Sequence, residues 1–540
     1  MSEEVPPPEK LTVEKKNPSW KEMLQPVTEK DYEHGFTHYW SLKKHIEPLG
    51  IPYAREINPF QKDWQFPPNW KEIFLQNFAD ALEKNRSLKL FMDICVRCGA
   101  CADKCHYYVG TGDPKNMPVA RAEILRSIYR RYFTRAGKLF GEAAGARDLT
   151  EDVIKEMYYY FYQCSLCRRC SNFCPYGIDT AEIVWWGRRL LNSIGVTHRF
   201  SHISIEASAR TGNHLGLYPL GIAEALESIA DDVYELTGIA PDVPVNKKGA
   251  EILFVAPSAD YFAQPHWYAC MAYLMLFHEL GLDYTWSTYA AEGGNFGTFQ
   301  SYELAQKLNH KVYEEAEYLG VKWIIGGECG HMWRDKHQFM DTMSGPADFL
   351  EDPVSPITGT YFENAADTKM VHICEFVADL IKNNKIRLDK SRNDQWKVTF
   401  HDSCNPARAM GLLEEPRYVL RNTCNYFYEM PEHTIRDKTY CCGSGGGLLT
   451  EEIMELRMRG GMPRAMAAKR VHEDYGVNVM ANVCAIDKAA FPELMHYWKL
   501  PVEIAGVDEF LGNALLMKGE TERVMDMRLN PLPGKEHLVE

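Results

Sequence analysis

The sequence has little that would anchor the chain in a membrane or on nucleic acid. No run reaches the ~18 uninterrupted apolar residues expected of a transmembrane helix. The best candidate, Trp267 to Leu282, contains His278 and Glu279 and predicts a packed core helix. The polar, proline-rich N-terminal residues lack the order of a signal peptide. Lys and Arg number 60 against 74 Asp and Glu, and the net charge of −14 argues against nucleic-acid binding. We expect a cytoplasmic chain without a membrane span of its own.

Loops that bind dinucleotides or phosphates are also missing. The chain has no GxGxxG dinucleotide loop, so a flavin would have to lie in another subunit. The glycine-rich stretch 443–447 lacks the GK[ST] ending of a phosphate-binding loop and follows two adjacent cysteines, Cys441 and Cys442. Neighbouring cysteines do not readily bond each other, but a bend that glycine permits can point both at a third object. This pair therefore predicts ligands of a metal or a cluster.

Cysteine is the residue that the chain has in excess. There are 16 cysteines, and most of them fall into three groups of four. In a reducing cytosol such groups indicate metal or redox chemistry rather than structural disulfides. The first two groups share the spacing C-x2-C-x2-C-x3-C, which is the ligand run of bacterial-ferredoxin [4Fe–4S] clusters. The first run is Cys95, Cys98, Cys101 and Cys105, and the second run is Cys164, Cys167, Cys170 and Cys174.

These two runs predict two cubane [4Fe–4S] clusters with crossed ligands. In two-cluster ferredoxins the fourth cysteine of a run binds the other cluster. The predicted sets are Cys95, Cys98, Cys101 with Cys174, and Cys164, Cys167, Cys170 with Cys105. A pair of zinc sites is the alternative, but two complete runs favour clusters. The segment CADKCH has three residues between its cysteines, which excludes c-type haem attachment, and it places His106 where the second run has Pro175.

Helical sequence separates the two runs. The stretch from Pro118 to Phe133 opens with proline and continues with apolar residues at helical spacing. Thr150 is followed by acidic residues, which is typical of a helix start. Two cysteine runs so far apart and joined by helices resemble the helical ferredoxin domain of iron–sulfur subunits in quinone-linked oxidoreductases.

The C-terminal part of the chain has a different sequence pattern, in which short strand-like runs alternate with helical sequence. The runs "EILFVAPSAD" and "WKVTFHDSC" are short and apolar, and each precedes helical sequence, as in parallel α/β units. Residues 287–297 also resemble residues 438–447, and both segments lie at similar distances from the flanking strand ends. The pattern predicts one duplicated α/β unit whose second half alone kept its thiols.

The chain is therefore predicted to be a multidomain α plus α/β protein. The predicted parts are an N-terminal partner-binding arm (1–85), a helical ferredoxin domain (86–200), a helical linker (201–248), a degenerate CCG-like α/β half (249–392), an intact CCG α/β half (393–515) and a C-terminal tail (516–540).

The third cysteine group is Cys404, Cys441, Cys442 and Cys484, in the pattern C-x36-CCG-x40-C. This pattern, together with "HDSCNPARAMGLLEEPRYVL" at residues 401–420, resembles the cysteine-rich CCG domain of heterodisulfide reductases. In that family such cysteines hold a non-cubane [4Fe–4S] cluster at which disulfides are cleaved. The family pattern usually ends in CxxC, whereas here Asp487 takes the last position, either as a harder oxygen ligand or beside an open iron site. Cys329 is at the repeat position of Cys484 and is either a relic or a residue near the cluster.

The layout of residues 86–515 as a whole resembles the DsrK family, the K subunits of DsrMKJOP membrane complexes in sulfur-metabolising prokaryotes. The resemblance implies an oxidoreductase subunit on the cytoplasmic face of the membrane, beside a cytochrome b and the other DsrMKJOP subunits. It also implies that electrons from quinol pass through two cubane clusters to the non-cubane site. The substrate would be a disulfide or trisulfide of the sulfur-carrier protein DsrC in dissimilatory sulfur metabolism, which includes sulfite reduction. Cys404, Cys441, Cys442 and Cys484 would then be the catalytic cysteines.

Two other functions remain open at this point. Iron–sulfur electron-transfer subunits of flavin-dependent glycolate, lactate or glycerol-3-phosphate dehydrogenases also combine ferredoxin and CCG modules. A scaffold whose clusters only stabilise the fold is the third possibility. Cys270, Cys374 and Cys424 are predicted core residues, since a free cysteine mostly behaves as a small hydrophobe. His331 and His401 flank strand ends and are either structural or proton-donating histidines.

Overall fold

The protein was analysed as a computed structural model, which describes residues 66–198, 201, 204–205, 207–208, 211–292, 297–298, 302–450 and 453–539. Residues 1–65 of the predicted N-terminal arm lie outside the described residues. Among the described helices, none combines the length and the apolar character needed to cross a bilayer. A helical region comes first in the chain and an α/β region follows it.

The helical region carries both ferredoxin-type cysteine runs. Its helices are α1 (Trp70–Lys84), α2 (Arg86–Asp93), α3 (His106–Thr111), α4 (Pro118–Phe133), α5 (Arg135–Phe140), α6 (Glu151–Phe161), α7 (Arg169–Asn172) and α8 (Thr180–Ser193). The two helix starts predicted from the sequence are confirmed. Pro118 is the first residue of α4, and the Thr150 hydroxyl accepts a hydrogen bond from the Val153 N–H at the start of α6.

Helix α1 belongs to the core of this region although the sequence placed it in the arm. Phe74 and Phe78 are fully buried, and they share one hydrophobic cluster with Leu125 of α4 and Ile154 of α6. The Phe78 ring lies 5.1 Å from the Phe133 ring in an edge-on contact. The boundary predicted at residue 86 therefore falls between two helices that pack on the same core.

The α/β region begins after helix α9 (Pro219–Thr237) and forms a first sheet of four parallel strands. The strand order is β2-β1-β3-β4. Its elements are β1 (Ile252–Val255), α10 (His266–Leu280), β2 (Tyr284–Trp286), α11 (Tyr302–Leu319), β3 (Trp323–Gly326), α12 (Gly330–Gln338), β4 (Met370–His372) and α13 (Ile373–Lys382). Helix α10 is the predicted core helix, and its Cys270 is fully buried.

A second sheet of three parallel strands follows, in the order β5-β6-β7. Its elements are β5 (Val398–Phe400), α14 (Glu415–Thr423), α15 (Met454–Tyr475), β6 (Val479–Asn482), α16 (Ala485–Tyr497), β7 (Glu503–Gly506) and α17 (Val507–Ala514). Strands β1 and β5 confirm the two strands predicted from the sequence. A parallel bridge between Val398 and Phe427 adds a strand-like segment on the free side of β5. With this segment the second sheet has the same strand order as the first.

Parallel order places the carboxyl ends of neighbouring strands at one edge of each sheet, which is where open α/β sheets bind ligands. Cys404 follows β5 and Cys484 follows β6, so the second sheet brings two of the predicted site cysteines to the same edge. Ser258 and Cys329 follow β1 and β3 at the matching edge of the first sheet. Cys374 and Cys424 lie in the core, as predicted.

We predict that acid destabilises the fold through buried neutral histidines. His372 is fully buried at the start of α13, where its Nδ1 accepts the Cys374 N–H at 3.0 Å. Burial lowers its pKa from 6.5 to about 3. The folded chain therefore binds fewer protons than the unfolded chain between these two values, and stability is lost as the pH falls below 6.5. One such histidine removes about 1.4 kcal/mol per pH unit in this window.

The measurement is urea unfolding at pH 7, 6, 5 and 4.5 for the wild type and for His372→Asn, because asparagine preserves the helix cap. The variant should show the shallower loss of unfolding free energy on acidification. His278→Asn, at an exposed position on α10, is the matched control and should keep the wild-type slope. Parallel slopes for the wild type and His372→Asn would contradict the prediction.

Candidate functional site

The two cysteine runs are folded by matching backbone turns. In the first run Arg97 and Gly99 have φ values of 57° and 78°, and in the second run Leu166 and Arg168 have φ values of 56° and 62°. These are the same positions between the first three cysteines of each run. Left-handed backbone at a non-glycine residue is costly and clusters at functional sites, where the surroundings hold it in place. Both loops therefore curl their thiols toward a common point in the same way.

The structure brings the thiols together in crossed sets. Burial raises the pKa of Cys170, and the neighbouring thiols of Cys164 and Cys105 raise it further. Burial also raises the pKa of Cys101, with further contributions from Cys174 and Cys95. The fourth cysteine of each run thus lies beside the other run. We name the two groups the inner set (Cys105, Cys164, Cys167 and Cys170) and the outer set (Cys95, Cys98, Cys101 and Cys174).

The two sets differ in their access to solvent. Cys98 of the outer set is exposed, and the neighbouring Val96 is 59% exposed. In the inner set, by contrast, Cys105 and Cys167 are buried. The outer set therefore faces the surface, whereas the inner set lies against the α/β region.

The adjacent cysteines Cys441 and Cys442 meet the inner set. Their Sγ atoms are 3.9 Å apart, and the Gly443 N–H donates to Cys441 Sγ at 3.5 Å. Hydrogen bonds from the thiols of Cys167, Cys404 and Cys442 hold the pKa of Cys441 well below its ordinary value. Cys441 is therefore the member of this group whose surroundings most favour a thiolate, and thiolate is the form that binds metal.

The glycine loop after these cysteines fits closely against two other segments. Gly443 has a φ of 88°, and a Cβ atom there would lie 2.6 Å from the Arg457 carbonyl oxygen of α15. Gly446 has a φ of 67°, and a Cβ atom there would lie 2.9 Å from the Ser165 backbone inside the second cysteine run. The loop thus packs closely between α15 and the ligand loop of the inner set. Its positive φ values and these close backbone contacts require glycine.

The remaining predicted ligands of the third group lie at the start of α16. Asp487 is buried, and its Oδ2 lies 3.3 Å from His401 Nε2. The pKa of Cys442 is raised first by its hydrogen bond to Cys441 and by burial, and further by the Asp487 carboxylate. Burial raises the pKa of Cys484, and Asp487 and Cys329 raise it further. Asp487 therefore lies near both Cys442 and Cys484.

Cys329 lies beside Cys484 at the contact between the two α/β halves. Both residues precede a helix, α12 and α16, and a Cβ atom on Gly330 would lie 2.6 Å from Cys484 Sγ. Burial raises the pKa of Cys329 strongly, which favours the neutral thiol. The first half thus covers the site of the second half with the beginning of α12.

The two histidines singled out in the sequence are buried bases. The Gly446 N–H donates to His331 Nε2 at 3.3 Å, and burial lowers the His331 pKa to about 4. Burial likewise lowers the pKa of His401 despite the nearby Asp487. At neutral pH both imidazoles are uncharged. Each therefore has one unprotonated nitrogen that can accept a proton, and one N–H.

His106 is a site residue whose position sequence reasoning missed. Ligand atoms of His106, Cys167 and Cys441 lie within 4.8 Å of one another. The His106 Nδ1 is 2.9 Å from the Gly460 carbonyl oxygen and its Nε2 is 2.8 Å from Ser165 Oγ. Burial alone lowers its pKa, but Cys441, Cys105 and the Gly460 carbonyl group together raise it above the ordinary value. The only signal in the sequence was a histidine in place of the usual proline, which says nothing of a contact with residue 441.

Buried guanidinium groups show that the cysteine sets suit an anionic cofactor. The Arg121 Nη1 lies 3.9 Å from Cys105 Sγ, and Arg121 is 2% exposed. Burial raises the pKa of Cys105, but Arg121 and His106 lower it to a net value below the ordinary one. A buried cation without a partner anion is strongly unfavourable. Four thiolates around an iron–sulfur cluster supply such an anion, so these residues fit the predicted cluster.

Comparison with known protein families supports both modules. Residues 91–178 match the 4Fe-4S dicluster domain, and residues 398–485 match the cysteine-rich domain. The first match contains both ferredoxin-type runs and the second contains the third cysteine group. The chain thus holds iron–sulfur clusters of the 4Fe–4S type.

Comparison with individual proteins covers nearly the whole chain. It is 60% identical to the Hdr-like menaquinol oxidoreductase iron-sulfur subunit 2 of Archaeoglobus fulgidus, over 98% of this chain and 99% of that one. It is 24% identical to one of the subunits of the dihydromethanophenazine:CoB–CoM heterodisulfide reductase of Methanosarcina acetivorans, over 78% of this chain and 94% of that one. It is also 23% identical to the EtfAB:quinone oxidoreductase of Syntrophomonas wolfei, over 76% of this chain and 55% of that one.

The family follows from the high identity over almost the full length of both chains and from the two matched domains. The chain belongs to the family of Hdr-like menaquinol oxidoreductase iron-sulfur subunits and is an oxidoreductase subunit that carries 4Fe–4S clusters.

Proposed function

We propose that the chain is the catalytic iron–sulfur subunit of a quinol-linked membrane complex that reduces a disulfide or trisulfide of a sulfur-carrier protein. In this proposal the chain is a DsrK-type subunit. The outer and inner sets each hold a cubane [4Fe–4S] cluster, and Cys404, Cys441, Cys442 and Cys484 hold a non-cubane [4Fe–4S] cluster with Asp487 or an open position at its edge. When bound, these clusters supply one-electron transfer. The domain limits predicted from the sequence, apart from the boundary at residue 86, form part of the same proposal.

The observation that carries the proposal is the contact between the inner set and the adjacent-cysteine site. Cys167 and Cys441 belong to different cysteine groups, yet their Sγ atoms lie within 4.8 Å of each other. His106 joins the same contact. An electron carrier held by the inner set therefore lies directly against the site where a sulfur substrate would react. A scaffold role needs no such contact.

Residues of this chain would also meet the proton requirement of the reaction. Reducing one disulfide to two thiols consumes two electrons and two protons. His106 lies beside Cys441, and its pKa is raised by that thiolate. A protonated His106 would stabilise a thiolate at Cys441, whereas the uncharged His331 and His401 could relay protons within the pocket.

The proposed partners follow from the same function. Quinol would be oxidised in a membrane cytochrome b subunit, and the other DsrMKJOP-type subunits would complete the complex. The chain would then lie on the cytoplasmic face of the membrane, and the small protein DsrC would carry the sulfur substrate. The exposed outer set, with Cys98 and Val96 at the surface, offers the side on which the electron donor would dock.

The experiment is EPR of the anaerobically purified protein after oxidation, recorded with and without reduced DsrC. A new paramagnetic signal that depends on DsrC is expected, because a substrate thiolate bound at the third site would trap a one-electron-oxidised cluster. DsrC with alkylated cysteines is the matched control and should give no signal. Equal spectra with reduced and with alkylated DsrC would exclude the proposed substrate.

The second candidate function is an electron conduit for a flavoprotein, which the similarity to the EtfAB:quinone oxidoreductase favours. In that case the protein would accept electrons from a reduced flavoprotein. Its cluster signals would then not respond to any thiol. The same EPR experiment therefore separates the two functions.

A further inference from the structure

We propose that five arginines raise the reduction potential of the cluster held by the inner set above that of the cluster held by the outer set. An electron shared by the two clusters would then reside mainly on the inner one, which lies beside Cys441. We name these residues the arginine collar: Arg121, Arg169, Arg188, Arg334 and Arg408. The inference rests on the proposed function only in that both cubane clusters must be present.

The collar converges on the short backbone segments that carry the inner set. Arg188 Nη2 donates to the Cys164 carbonyl oxygen at 2.6 Å, Arg334 Nη1 donates to the Leu166 carbonyl oxygen at 2.9 Å, and Arg408 Nη1 donates to the Cys167 carbonyl oxygen at 2.6 Å. These three carbonyl groups lie within one turn of the second run. Three positive charges from three different elements therefore surround a single ligand loop.

Arg121 and Arg169 complete the collar from the side of the first run. Arg121 Nη2 donates to the Gln163 carbonyl oxygen at 3.1 Å, while its Nη1 lies 3.9 Å from Cys105 Sγ. Arg169 Nη1 donates to the Lys104 carbonyl oxygen at 3.0 Å. Cys105 is the residue that crosses from the first run to the inner set, so both arginines flank the crossed ligand.

Asp179 acts on Arg334 and on Cys170, but much of the remaining charge of the collar is not compensated by carboxylates. Within the part of the chain that the structure describes, Arg121, Arg169 and Arg408 have no carboxylate oxygen within the 4.0 Å of an ion pair, and their acceptors are carbonyl and amide oxygens. Arg121 and Arg169 are 2% and 3% exposed. Their charges are thus poorly screened by water and act on whatever the inner set holds.

The outer set has a different electrostatic environment. Arg97 is half exposed and pairs with Glu123 at 2.8 Å, and Glu123 also pairs with Arg130. Arg126 donates to the Phe91 carbonyl oxygen at 3.2 Å and lies near the Glu123 carboxylate as well as near Cys95. Carboxylate neutralises positive charge here, and exposed Cys98 admits solvent.

These differences act on the reduction potential in a known direction. Adding an electron to a four-thiolate cluster adds one negative charge, and nearby net charge, hydrogen bonding and exposure set its potential. A buried positive charge favours the reduced form. Arginine keeps its proton at every accessible pH, so the effect of the collar involves no proton uptake. The inner cluster is therefore expected to hold the electron when the two clusters share one.

The test is an EPR-monitored redox titration of the whole protein. Cys98→Ser and Cys170→Ser identify the signals of the outer and inner clusters by selective change. The wild type should show the inner cluster at the higher potential. Arg121→Gln should favour the outer cluster by roughly tenfold in the electron-sharing equilibrium, which is about 59 mV for a one-electron couple. Arg121→Lys should restore most of the wild-type value because it keeps the charge.

Arg408→Gln is an independent variant. Arg408 is half-buried and donates to the carbonyl oxygens of Asp437, Cys167 and Thr439. This variant should shift the potential of the inner cluster in the same direction. Arg131→Gln removes an arginine that pairs with Asp148 near the surface, and it should leave both potentials unchanged. A wild-type inner cluster at or below the potential of the outer one would overturn the inference, as would equal shifts of both clusters in Arg121→Gln. Absence of two cubane signals in the wild type would instead contradict the proposed function.

Discussion

Under the proposed function, replacing Cys441 by serine should lower disulfide reduction by at least ~100-fold, while the signals of the clusters held by the inner and outer sets persist. Cys441 is fully buried and its Sγ lies 3.9 Å from Cys442 Sγ, and the thiols of Cys167, Cys404 and Cys442 lower its pKa. The third group therefore converges on Cys441. A serine hydroxyl stays protonated at neutral pH and is a poor ligand for iron compared with a thiolate. The loss corresponds to about 3 kcal/mol of transition-state stabilisation.

The measurement combines steady-state reduction of oxidised DsrC with EPR of the same preparation. Serine at 441 should remove the thiol-dependent signal but leave the signals of the inner and outer sets. Cys424→Ser is the matched control, because Cys424 is equally buried in the same α/β half but has Thr423 as its neighbour and lies outside the cysteine groups. Near-wild-type turnover by Cys441→Ser would show that the reaction occurs elsewhere.

The cysteine groups could be predicted from the sequence because their chemistry is local. Three thiols at fixed short spacing can wrap one corner of a cluster whatever the rest of the chain does. The matching positive φ values of Arg97 and Leu166 show the same geometry in both runs. The strands around Val255 and Phe400 were predictable for a similar reason, since short apolar runs before small polar residues mark parallel α/β units.

The contacts between cysteine groups could not be predicted in this way. Cys167 and Cys441 are separated by a helical region, a linker and a complete sheet, and no spacing rule relates them. The role of the collar arginines could not be predicted from the sequence either, because a lone arginine in a helix is usually exposed to solvent. Arg188 looks like one more polar position on α8 until the fold places its guanidinium against Cys164 and Gly446.

The boundary of the N-terminal arm shows a different limit. The proline- and tryptophan-rich sequence at residues 58–74 predicts an arm plus a short helix that lies on a partner. Helix α1 nevertheless buries Phe74 and Phe78 in the core formed with α4 and α6. The sequence of such a helix predicts an apolar face. It does not say whether that face packs against the same chain or against another protein.

Replacing Gly443 by alanine should cost about 2 to 5 kcal/mol of unfolding free energy and disrupt the third cysteine group. The φ of 88° at Gly443 is unfavourable for any residue with a Cβ atom. Such a Cβ atom would lie 2.6 Å from the Arg457 carbonyl oxygen and 2.7 Å from the Gly461 backbone nitrogen. Both atoms belong to the backbone of α15, so no side-chain rotation can relieve the clash, and the loop must move away with Cys441 and Cys442.

Gly411→Ala is the control that separates the cost of backbone strain from the cost of the steric clash. Gly411 has a comparable φ of 73°, but a Cβ atom there would meet no atom within 4 Å. Gly411→Ala should therefore cost only the ~1–2 kcal/mol of the left-handed backbone and keep the thiol-dependent EPR signal. Urea unfolding and EPR of both variants provide the comparison. If the two substitutions cost the same and both keep the signal, the close fit of the glycine loop against α15 does not position the adjacent cysteines.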